Sequence, residues 1–421
     1  MSRAPLRVAV LGAGTVGGEV VRGLLELGDR LAPADGGRLE LAAVAVRNLA
    51  AARERGLPSG LLTDAPAHLV ADPATDVIVE LMGGDEPAHT LIAAALASGK
   101  PVVTANKHVI AHHGPELEAI ARREGVALRF EAAVAGGIPV LSPLASDLAA
   151  NRIGRVRGIV NGTTNYILSA MAEDGRAYDD VLLDAQELGY AETDPSGDVE
   201  GHDAVNKLVI LARLAFDRWL EPGSVVRSPP RARGEGRPGI TGVTDQEVEG
   251  AAALGLTIKL LASATRDGDG VVASVVPTAV PAESPFGWTD GVTNRIEIDA
   301  EPLGTVRLAG PGAGGGATSS AVLGDLLAVA RGLGSTWAGL PVAGGPAEPA
   351  AHGLDVARHW YAFVPPVESG ELPDALDEAA SVTFEEGTAL RTEVVTLAEA
   401  RAAFDAILPP GIDVTLYPVD D

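Results

Sequence analysis

The sequence predicts an α/β protein whose first part is a doubly wound parallel sheet. An apolar run, Leu6–Leu11, stops at the glycine-rich turn GAGTVG, and a helical pattern follows that turn. Short apolar runs then alternate with helical patterns as far as residue 135, and later β-branched segments favour strands of a mixed sheet. Strand, glycine turn and helix in this order are typical of a Rossmann-type dinucleotide-binding domain.

The elements of this pattern follow one another along the chain. A polar loop over residues 28–37 leads to a second strand, Leu39 to Val46, and further strands are expected at Val77 to Leu81 and Val102 to Lys107. The later part should contain a helix near Thr244 to Ala264 and strands at Val271 to Val276, Ile296 to Ile298 and Gly304 to Leu308.

A chain of 421 residues is too long for one compact core, so we expect several domains. Residues 1–135 should form the nucleotide-binding domain, and residues 136–337 an α+β domain for substrate binding and dimerisation. Residues 354–421 should form a small α+β domain, after a linker rich in Pro, Ala and Gly. A second glycine-rich turn and helix, residues 310–333, are a candidate to return to the first domain.

Composition argues against several classes of protein. A net charge of −25 disfavours binding to nucleic acid or to an anionic membrane, because both need concentrated Lys and Arg. The sequence has no run of about 18 apolar residues and no signal-like start, so we expect a cytoplasmic protein. It has no cysteine, and its eight histidines show no ligand spacing such as HExxH. The chemistry must therefore come from lysines, carboxylates or a cofactor.

The turn GAGTVG is a candidate cofactor site. Gly12 permits the tight turn, Gly14 lets backbone amides approach a pyrophosphate, and Gly17 allows close packing of the helix. The second strand ends at Arg47, where NAD-binding sites usually have an acidic residue for the ribose hydroxyls. A guanidinium suits a 2′-phosphate, so NADP is favoured over NAD. The alternative is that Arg47 is an ordinary solvated arginine.

A second candidate site is the stretch from Leu188 to Lys207, in which five acidic residues precede one lysine and a long apolar run. On a helix, Asp203 and Lys207 would share a face, and a buried lysine is costly unless it is paired or used. Two interpretations stay open at this point, a structural ion pair and a catalytic amine. Lys107 ends a predicted strand, where α/β sheets place ligands, although it could equally be a surface lysine.

Six blocks of the chain, in the same order, resemble those of homoserine dehydrogenases. They are ELMGG, VVTANK, EAAVAGGIPV, NGTTNYIL, LGYAETDPSGDVEGHDAVNKLVIL and GPGAGGGATSSAV, and the resemblance covers Leu6 to Leu333. It implies reversible NAD(P)H-dependent reduction of L-aspartate 4-semialdehyde to L-homoserine, in threonine and methionine biosynthesis, by a homodimer. The rival hypotheses are another NAD(P)-linked amino-acid or semialdehyde dehydrogenase and a catalytically silent nucleotide-sensing protein.

The resemblance also implies roles for individual residues. Lys207 would be the proton donor and acceptor, and Lys107 would lie at the nicotinamide and the substrate. Glu192 and Asp203 would hold the substrate, with Asp198 in support and Gly189 near substrate and cofactor. Besides the glycines of the turn, the cofactor would contact Thr15, Val16, Arg47, Thr104, Lys107 and Gly314.

The family also binds a monovalent cation, usually sodium, through a glutamate side chain and backbone carbonyls. The matching positions are Glu131, Val134, Gly136 and Ile138, and oxygen ligands suit such a hard cation. The alternative interpretation of this segment is an ordinary strand and turn.

Two features depart from the family pattern. Thr193 stands where the family often has proline, a change that should be tolerated. The C-terminal region resembles an ACT regulatory domain in its βαββαβ order, but Phe363 to Glu371 lacks the D-x-P-G-x-L turn that binds amino-acid effectors. This absence argues against threonine feedback and favours a role of this ACT-like domain in dimerisation or stability.

Overall fold

The computed structural model describes residues 4–27, 38–343, 345–354, 356–366, 376 and 380–420, and it confirms the mixed α/β fold. The first sheet has six parallel strands in the order β3-β2-β1-β4-β5-β6, which is the doubly wound arrangement that the sequence predicts. Its strands are β1 Leu6–Leu11, β2 Leu39–Ala45, β3 Leu62–Thr63, β4 Val77–Glu80, β5 Val102–Thr104 and β6 Leu128–Arg129.

Helices cover both faces of the parallel sheet, because its strands are apolar on both sides. One of them, α12 (Gly315–Ala330), comes from far along the chain and packs against α1 (Thr15–Leu27). Val322 and Leu326 of α12 thereby share a core with Val8 and Val10. The helices of this layer are α1 Thr15–Leu27, α2 Leu49–Glu54, α3 Pro66–Ala71, α4 Ala88–Ala97, α5 Lys107–Glu124 and α12 Gly315–Ala330.

The second sheet has the order β13-β12-β7-β10-β11-β14 and is antiparallel except for the short parallel pair β11–β14. Its strands are β7 Arg152–Ile159, β10 Leu256–Asp267, β11 Gly270–Pro281, β12 Thr293–Glu301, β13 Gly304–Pro311 and β14 Ala351–His352. The helices that follow the first domain are α6 Leu141–Ala145, α7 Gly162–Asp174, α8 Tyr178–Glu187, α9 Ser196–Val199, α10 His202–Phe216 and α11 Asp245–Ala253.

One sequence prediction in this region is wrong. Residues Thr244 to Ala264 do not form a single helix, because α11 stops at Ala253 and β10 begins at Leu256. Gly255 between them has a φ of +71°, a left-handed conformation that ends the helix. The apolar segment that follows lies in the middle of the sheet, where burial on both faces removes the polar alternation typical of a strand.

A third, four-stranded sheet with the order β16-β17-β15-β18 forms the C-terminal region. It packs on α11, and the Tyr361 hydroxyl donates a hydrogen bond to the Glu247 carbonyl. Most of the predicted helix Leu372 to Ala379, and residues 367–371 of the presumed effector turn, lie outside the described residues. The elements are β15 Trp360–Val364, β16 Ala380–Thr383, β17 Thr388–Arg391, α13 Leu397–Ile407 and β18 Tyr417–Pro418, with a separate short hairpin, β8 Pro230–Arg231 and β9 Gly234–Glu235.

No described helix is long and apolar enough to span a lipid bilayer.

Candidate active site

A cavity of about 600 Å³ lies where the carboxyl edge of the parallel sheet faces the helices of the second region. This edge is where doubly wound sheets place their ligands. The predicted site residues in its wall come from both regions of the chain, and Gly314 is the N-cap residue of the returning helix α12. They are Val16, Lys107, Gly136, Gly189, Asp198, Asp203, Lys207 and Gly314.

Helix α10 presents Asp203 and Lys207 to this cavity. The two residues are four apart and share a helix face, as the sequence predicts. Lys207 is 8% exposed, and its Nζ lies 2.7 Å from Oδ2 of Asp203 and 2.6 Å from the Val160 carbonyl oxygen. An ammonium group has three N–H donors, and these contacts occupy two of them. The remaining donor is available to a ligand in the cavity.

The Asp203 carboxylate joins two lysines. Lys107 is the first residue of α5, and its Nζ lies 3.1 Å from Oδ1 of Asp203, the oxygen that Lys207 does not use. Asn161 completes the group, because its Nδ2 donates to Oδ2 of Asp203 at 2.9 Å and to Oδ1 of Asp198 at 2.6 Å. Five side chains from α5, α9, α10 and the end of β7 therefore form one hydrogen-bonded network.

The charges of this network oppose the effect of burial on Asp203. Burial would raise the pKa of Asp203, but the ammonium charges of Lys207 and Lys107 and the hydrogen bonds from Lys207 and Asn161 hold this pKa well below its ordinary value. The attraction of Asp203 in turn raises the pKa of Lys107 against the effect of burial. Burial raises the pKa of Asp198, which lies farther from the two lysines. Asp203 is consequently ionised at neutral pH.

Asn161 was not among the residues that sequence reasoning selected. It follows β7 and caps α7, because its Oδ1 accepts a hydrogen bond from the Thr164 amide at 2.9 Å. The amide nitrogen of the same side chain is then directed to Asp198 and Asp203. The signal available in the sequence was its place in the block NGTTNYIL, at the junction of a predicted strand and helix.

In the glycine turn between β1 and α1, neighbouring backbone segments lie too close together for a side chain at Gly12 or Gly17. A Cβ on Gly12 would lie 2.6 Å from the Leu81 carbonyl oxygen, and a Cβ on Gly17 would lie 2.1 Å from the Gly12 carbonyl oxygen. Gly14, in contrast, has no atom within 4 Å of its Cβ position, so the space above the helix N-terminus is open. This is the geometry that a pyrophosphate at a helix N-terminus requires.

A second cavity, of about 470 Å³, lies on the other side of the glycine turn. Gly12, Gly14 and Arg47 line it, as predicted, and Arg55 from the end of α2 lines it as well. Asp64 and Glu86 line the same cavity, so its wall holds two guanidinium groups and two carboxylates. Arg55 was missed because a lysine or arginine after a helix is usually a solvated residue.

Thr104, Glu192 and Thr15 are among the predicted residues that lie outside the walls of these two cavities. The Thr104 side chain is fully buried and donates to Oε2 of Glu80 at 2.6 Å, and it does not line the cavity. Glu192 is exposed and outside the cavity wall, on the loop that follows Gly189 and Tyr190 of that wall. Thr15 is exposed at the start of α1.

The segment predicted to hold a cation offers two kinds of oxygen ligand, the Glu131 carboxylate and backbone carbonyls. The Glu131 carboxylate is saturated, since it accepts hydrogen bonds from the amides of Val140, Leu141 and Ser142 and from the Ser142 hydroxyl, at 2.6–2.8 Å. The chain then turns through Ala135 and Gly136, both with positive φ. Among the described hydrogen bonds, none ends on the carbonyls of Val134, Gly136 or Ile138. These carbonyls fit a hard cation better than the Glu131 side chain does.

Comparison with known proteins agrees with the geometry. The model of the homoserine dehydrogenase NAD-binding domain matches residues 12–131, and the homoserine dehydrogenase model matches residues 139–327. The homoserine dehydrogenase of Mycobacterium tuberculosis H37Rv is 46% identical over 332 residues, which are 78% of this chain and 73% of that protein. The Corynebacterium glutamicum enzyme is 40% identical over 398 residues, 91% of this chain and 84% of its own.

The chain belongs to the homoserine dehydrogenase family. A solved homoserine dehydrogenase from Thiobacillus denitrificans has a TM-score of 0.90 and 36% identity, and the match covers 100% of this chain and 99% of that one. A hyperthermophilic archaeal homoserine dehydrogenase in complex with NADPH has a TM-score of 0.65 and 26% identity, over 78% of this chain and 98% of its own. Like the other homoserine dehydrogenases, the chain is an oxidoreductase that acts on a CH–OH group, and its first domain binds a nicotinamide cofactor.

Proposed function

We propose that Lys207 is the proton donor and acceptor in the reversible reduction of L-aspartate 4-semialdehyde to L-homoserine. The observation that carries this assignment is the ammonium group at the cavity wall, which has two of its three N–H donors held by Asp203 and Val160. A fixed ammonium with one donor to spare can bind and protonate a carbonyl oxygen.

The network around Lys207 suits proton transfer. When bound, the nicotinamide supplies the hydride that reduces the aldehyde carbon, or accepts it in the reverse direction. As the C–O bond becomes single, Lys207 gives one proton to the oxygen and is left as a neutral amine; in the reverse direction the amine takes the hydroxyl proton. Asp203 holds the Lys207 ammonium in position through a contact of 2.7 Å, and the Lys107 ammonium lies on the other oxygen of the same carboxylate.

We further propose that carboxylates recognise the α-ammonium group of the substrate. Asp198 and Asp203 lie in the cavity wall, and Glu192 is carried by the loop that follows the wall residues Gly189 and Tyr190. In this proposal the Glu192 side chain turns toward the bound amino acid. Glu192→Gln should then raise the KM for homoserine by about tenfold with a smaller change in kcat, the value of one charge-assisted hydrogen bond. An unchanged KM would remove Glu192 from the binding site.

NADP is the proposed cofactor, because Arg47 and Arg55 line the cavity at the end of β2. A guanidinium there can hold the 2′-phosphate through paired hydrogen bonds. Arg47→Ser should raise the KM for NADP by about 10-fold to 100-fold and leave the KM for NAD nearly unchanged. An equal rise of the KM for NADP and for NAD would show that Arg47 does not bind the 2′-phosphate.

A monovalent cation, sodium in this proposal, is assigned to the carbonyls of Val134, Gly136 and Ile138. Gly136 also lines the cavity, so an ion held there would stabilise the backbone of the wall. The ion has no part in the proton transfer. We also propose a homodimer that acts in the biosynthesis of threonine and methionine; both rest on the family resemblance.

The experiment that tests the proposed function follows nicotinamide absorbance as the purified protein acts on L-homoserine with NADP or with NAD. We expect reduction of the cofactor that depends on homoserine and is faster with NADP at low cofactor concentration. Other amino alcohols and hydroxy acids serve as controls. Turnover of one of these with no turnover of homoserine would instead support a different dehydrogenase activity.

A further inference from the structure

Half of the histidines of this chain gather on two neighbouring helices. His89 lies on α4, and His108, His112 and His113 lie on α5. The rings of His89 and His113 are stacked, with centroids 3.9 Å apart, and those of His108 and His112 have centroids 4.2 Å apart. None of these residues lines the cavity that holds Lys207. The proposed reaction therefore does not account for the cluster.

Within the cluster, His89, His113 and Glu116 each offer one ligand atom, and these atoms lie within 4.8 Å of one another. Nε2 of His89 and Oε2 of Glu116 lie 3.1 Å apart. Two imidazoles and one carboxylate on converging helices are the protein ligands of many zinc sites, which keep a fourth position for water. Glu116 is exposed, so solvent reaches that position.

In each of the two histidines, one ring nitrogen lies within hydrogen-bond distance of a carboxylate outside this triad. Oε1 of Glu86 lies 3.3 Å from Nδ1 of His89, and Oδ1 of Asp85 lies 2.8 Å from Nε2 of His113. Imidazoles that bind metals usually have the second nitrogen held by a carboxylate, which fixes the ring orientation and makes the ligand more basic. Both histidines have this support, and both are half-buried.

We propose that His89, His113 and Glu116 bind a divalent transition-metal ion of the zinc class. The site differs in kind from the carbonyl oxygens near Gly136, because imidazole nitrogen favours Zn²⁺, Ni²⁺ or Co²⁺ over sodium. Binding requires the three ligand atoms, which now lie within 4.8 Å of one another, to close in until each nitrogen lies about 2.0–2.1 Å from the ion. The ion would then join α4 to α5, the helix that begins at Lys107, about 9 Å along its axis from His113.

The test measures metal affinity rather than activity. Protein prepared without a histidine tag and stripped with a chelator is titrated with Zn²⁺ by calorimetry, and with Co²⁺ by its visible absorption, at a constant high sodium concentration. We expect one ion per chain with a micromolar or lower Kd. His89→Gln and His113→Gln should each raise this Kd by about 100-fold or more, and Asp85→Asn by about 10-fold to 100-fold.

Two controls keep the result decisive. His68→Gln changes an exposed histidine on α3 and should leave the Kd unchanged. The double variant His108→Gln/His112→Gln removes the competing i, i+4 pair on α5 and should also leave it unchanged. Circular dichroism and the apo-protein Tm identify variants that fail to fold. Binding that is lost only in the double variant, or that survives in both His89→Gln and His113→Gln, would overturn the proposal.

Discussion

Two buried lysines of this protein, Lys207 and Lys259, have similar hydrogen-bond partners, but we expect one to be catalytic and the other structural. Lys207 is 8% exposed and Lys259 is 1% exposed, and each donates to one aspartate and to one backbone carbonyl. Lys259 also donates to the Ser169 hydroxyl at 3.1 Å, so that all three of its N–H donors are used. Lys207 has one donor left and lines the large cavity.

The aspartate partners differ as well. The Asp203 side chain is 11% exposed and is shared by Lys207 and Lys107, whereas the Asp290 side chain is 68% exposed and contacts Lys259 from the surface. Burial lowers the pKa of Lys259, against the attraction of Asp290. A buried lysine with an acidic partner is thus not a sufficient sign of catalysis. The distinguishing features are a spare donor, an open cavity and a second cation on the same carboxylate.

The largest expected effect is on turnover when Lys207 is removed. Lys207→Met keeps the length of the side chain and loses the proton donor, so kcat should fall by about 10²-fold to 10⁴-fold, the usual value of general acid–base catalysis. Steady-state kinetics with homoserine and NADP measure this, and cofactor binding by fluorescence serves as the check on folding. A kcat close to that of the parent protein would contradict the catalytic role that distinguishes Lys207 from Lys259.

A smaller loss is expected when the shared carboxylate is neutralised. Asp203→Asn leaves both lysines without their shared carboxylate and should lower kcat/KM by about 10-fold to 100-fold, the value of a charged hydrogen bond. Asp290→Asn is the matched control, and its solvent-exposed position predicts parent-like kinetics. Equal losses in the two variants would mean that the two aspartates play the same role.

The depressed pKa of Asp203 predicts a pH dependence of stability. The folded-state pKa lies below the ordinary value of 3.8, so the stabilisation is fully present above that pH and is lost as the pH falls toward the folded-state pKa. The difference in unfolding free energy between the parent and Asp203→Asn should therefore be constant near neutral pH and shrink below about pH 4. Urea denaturation at several pH values measures it. A difference that grows on acidification would contradict the assignment.

The smallest effect is expected at Lys259. Lys259→Met should cost about 1 kcal/mol of unfolding free energy, the net value of a hydrogen bond, because Asp290 stays solvated and the Thr289 carbonyl keeps the bond from Asn165. Its kcat should match the parent value. Thermal and urea unfolding give the first quantity and steady-state kinetics the second; a large loss of kcat would remove the distinction between the two lysines.

Sequence reasoning succeeded where local spacing determines geometry. The glycine turn follows from strand, glycine and helix in succession, and the shared face of Asp203 and Lys207 follows from a spacing of four on one helix. The presence of Lys107 beside the same carboxylate depended on the expectation that a strand end lies at the ligand edge of the sheet. Here the family resemblance and the local pattern agreed.

Sequence reasoning failed to predict contacts between residues that are far apart in the chain. Asn161 meets Asp203 because α7 packs against α9 and β7 packs against α10, and no periodicity encodes these contacts. The Glu131 carboxylate accepts hydrogen bonds from amides nine to eleven residues later, and local sequence did not predict these contacts; its role as a cation ligand stays a prediction from the resemblance. His89 and His113 are similarly brought together by α4 and α5, although their spacing resembles no metal motif.

Chemical rescue of a lysine-to-alanine variant is the most direct test of the proposed proton role. Lys207→Ala leaves space at the cavity wall, and added primary alkylamines can occupy that space and transfer a proton in place of Lys207. We expect kcat to rise with amine concentration and to depend on the pKa of the amine, whereas Lys259→Ala should show no such rise. If Lys207→Ala bound NADPH and homoserine and gained no rate from any amine, Lys207 would not be the proton donor.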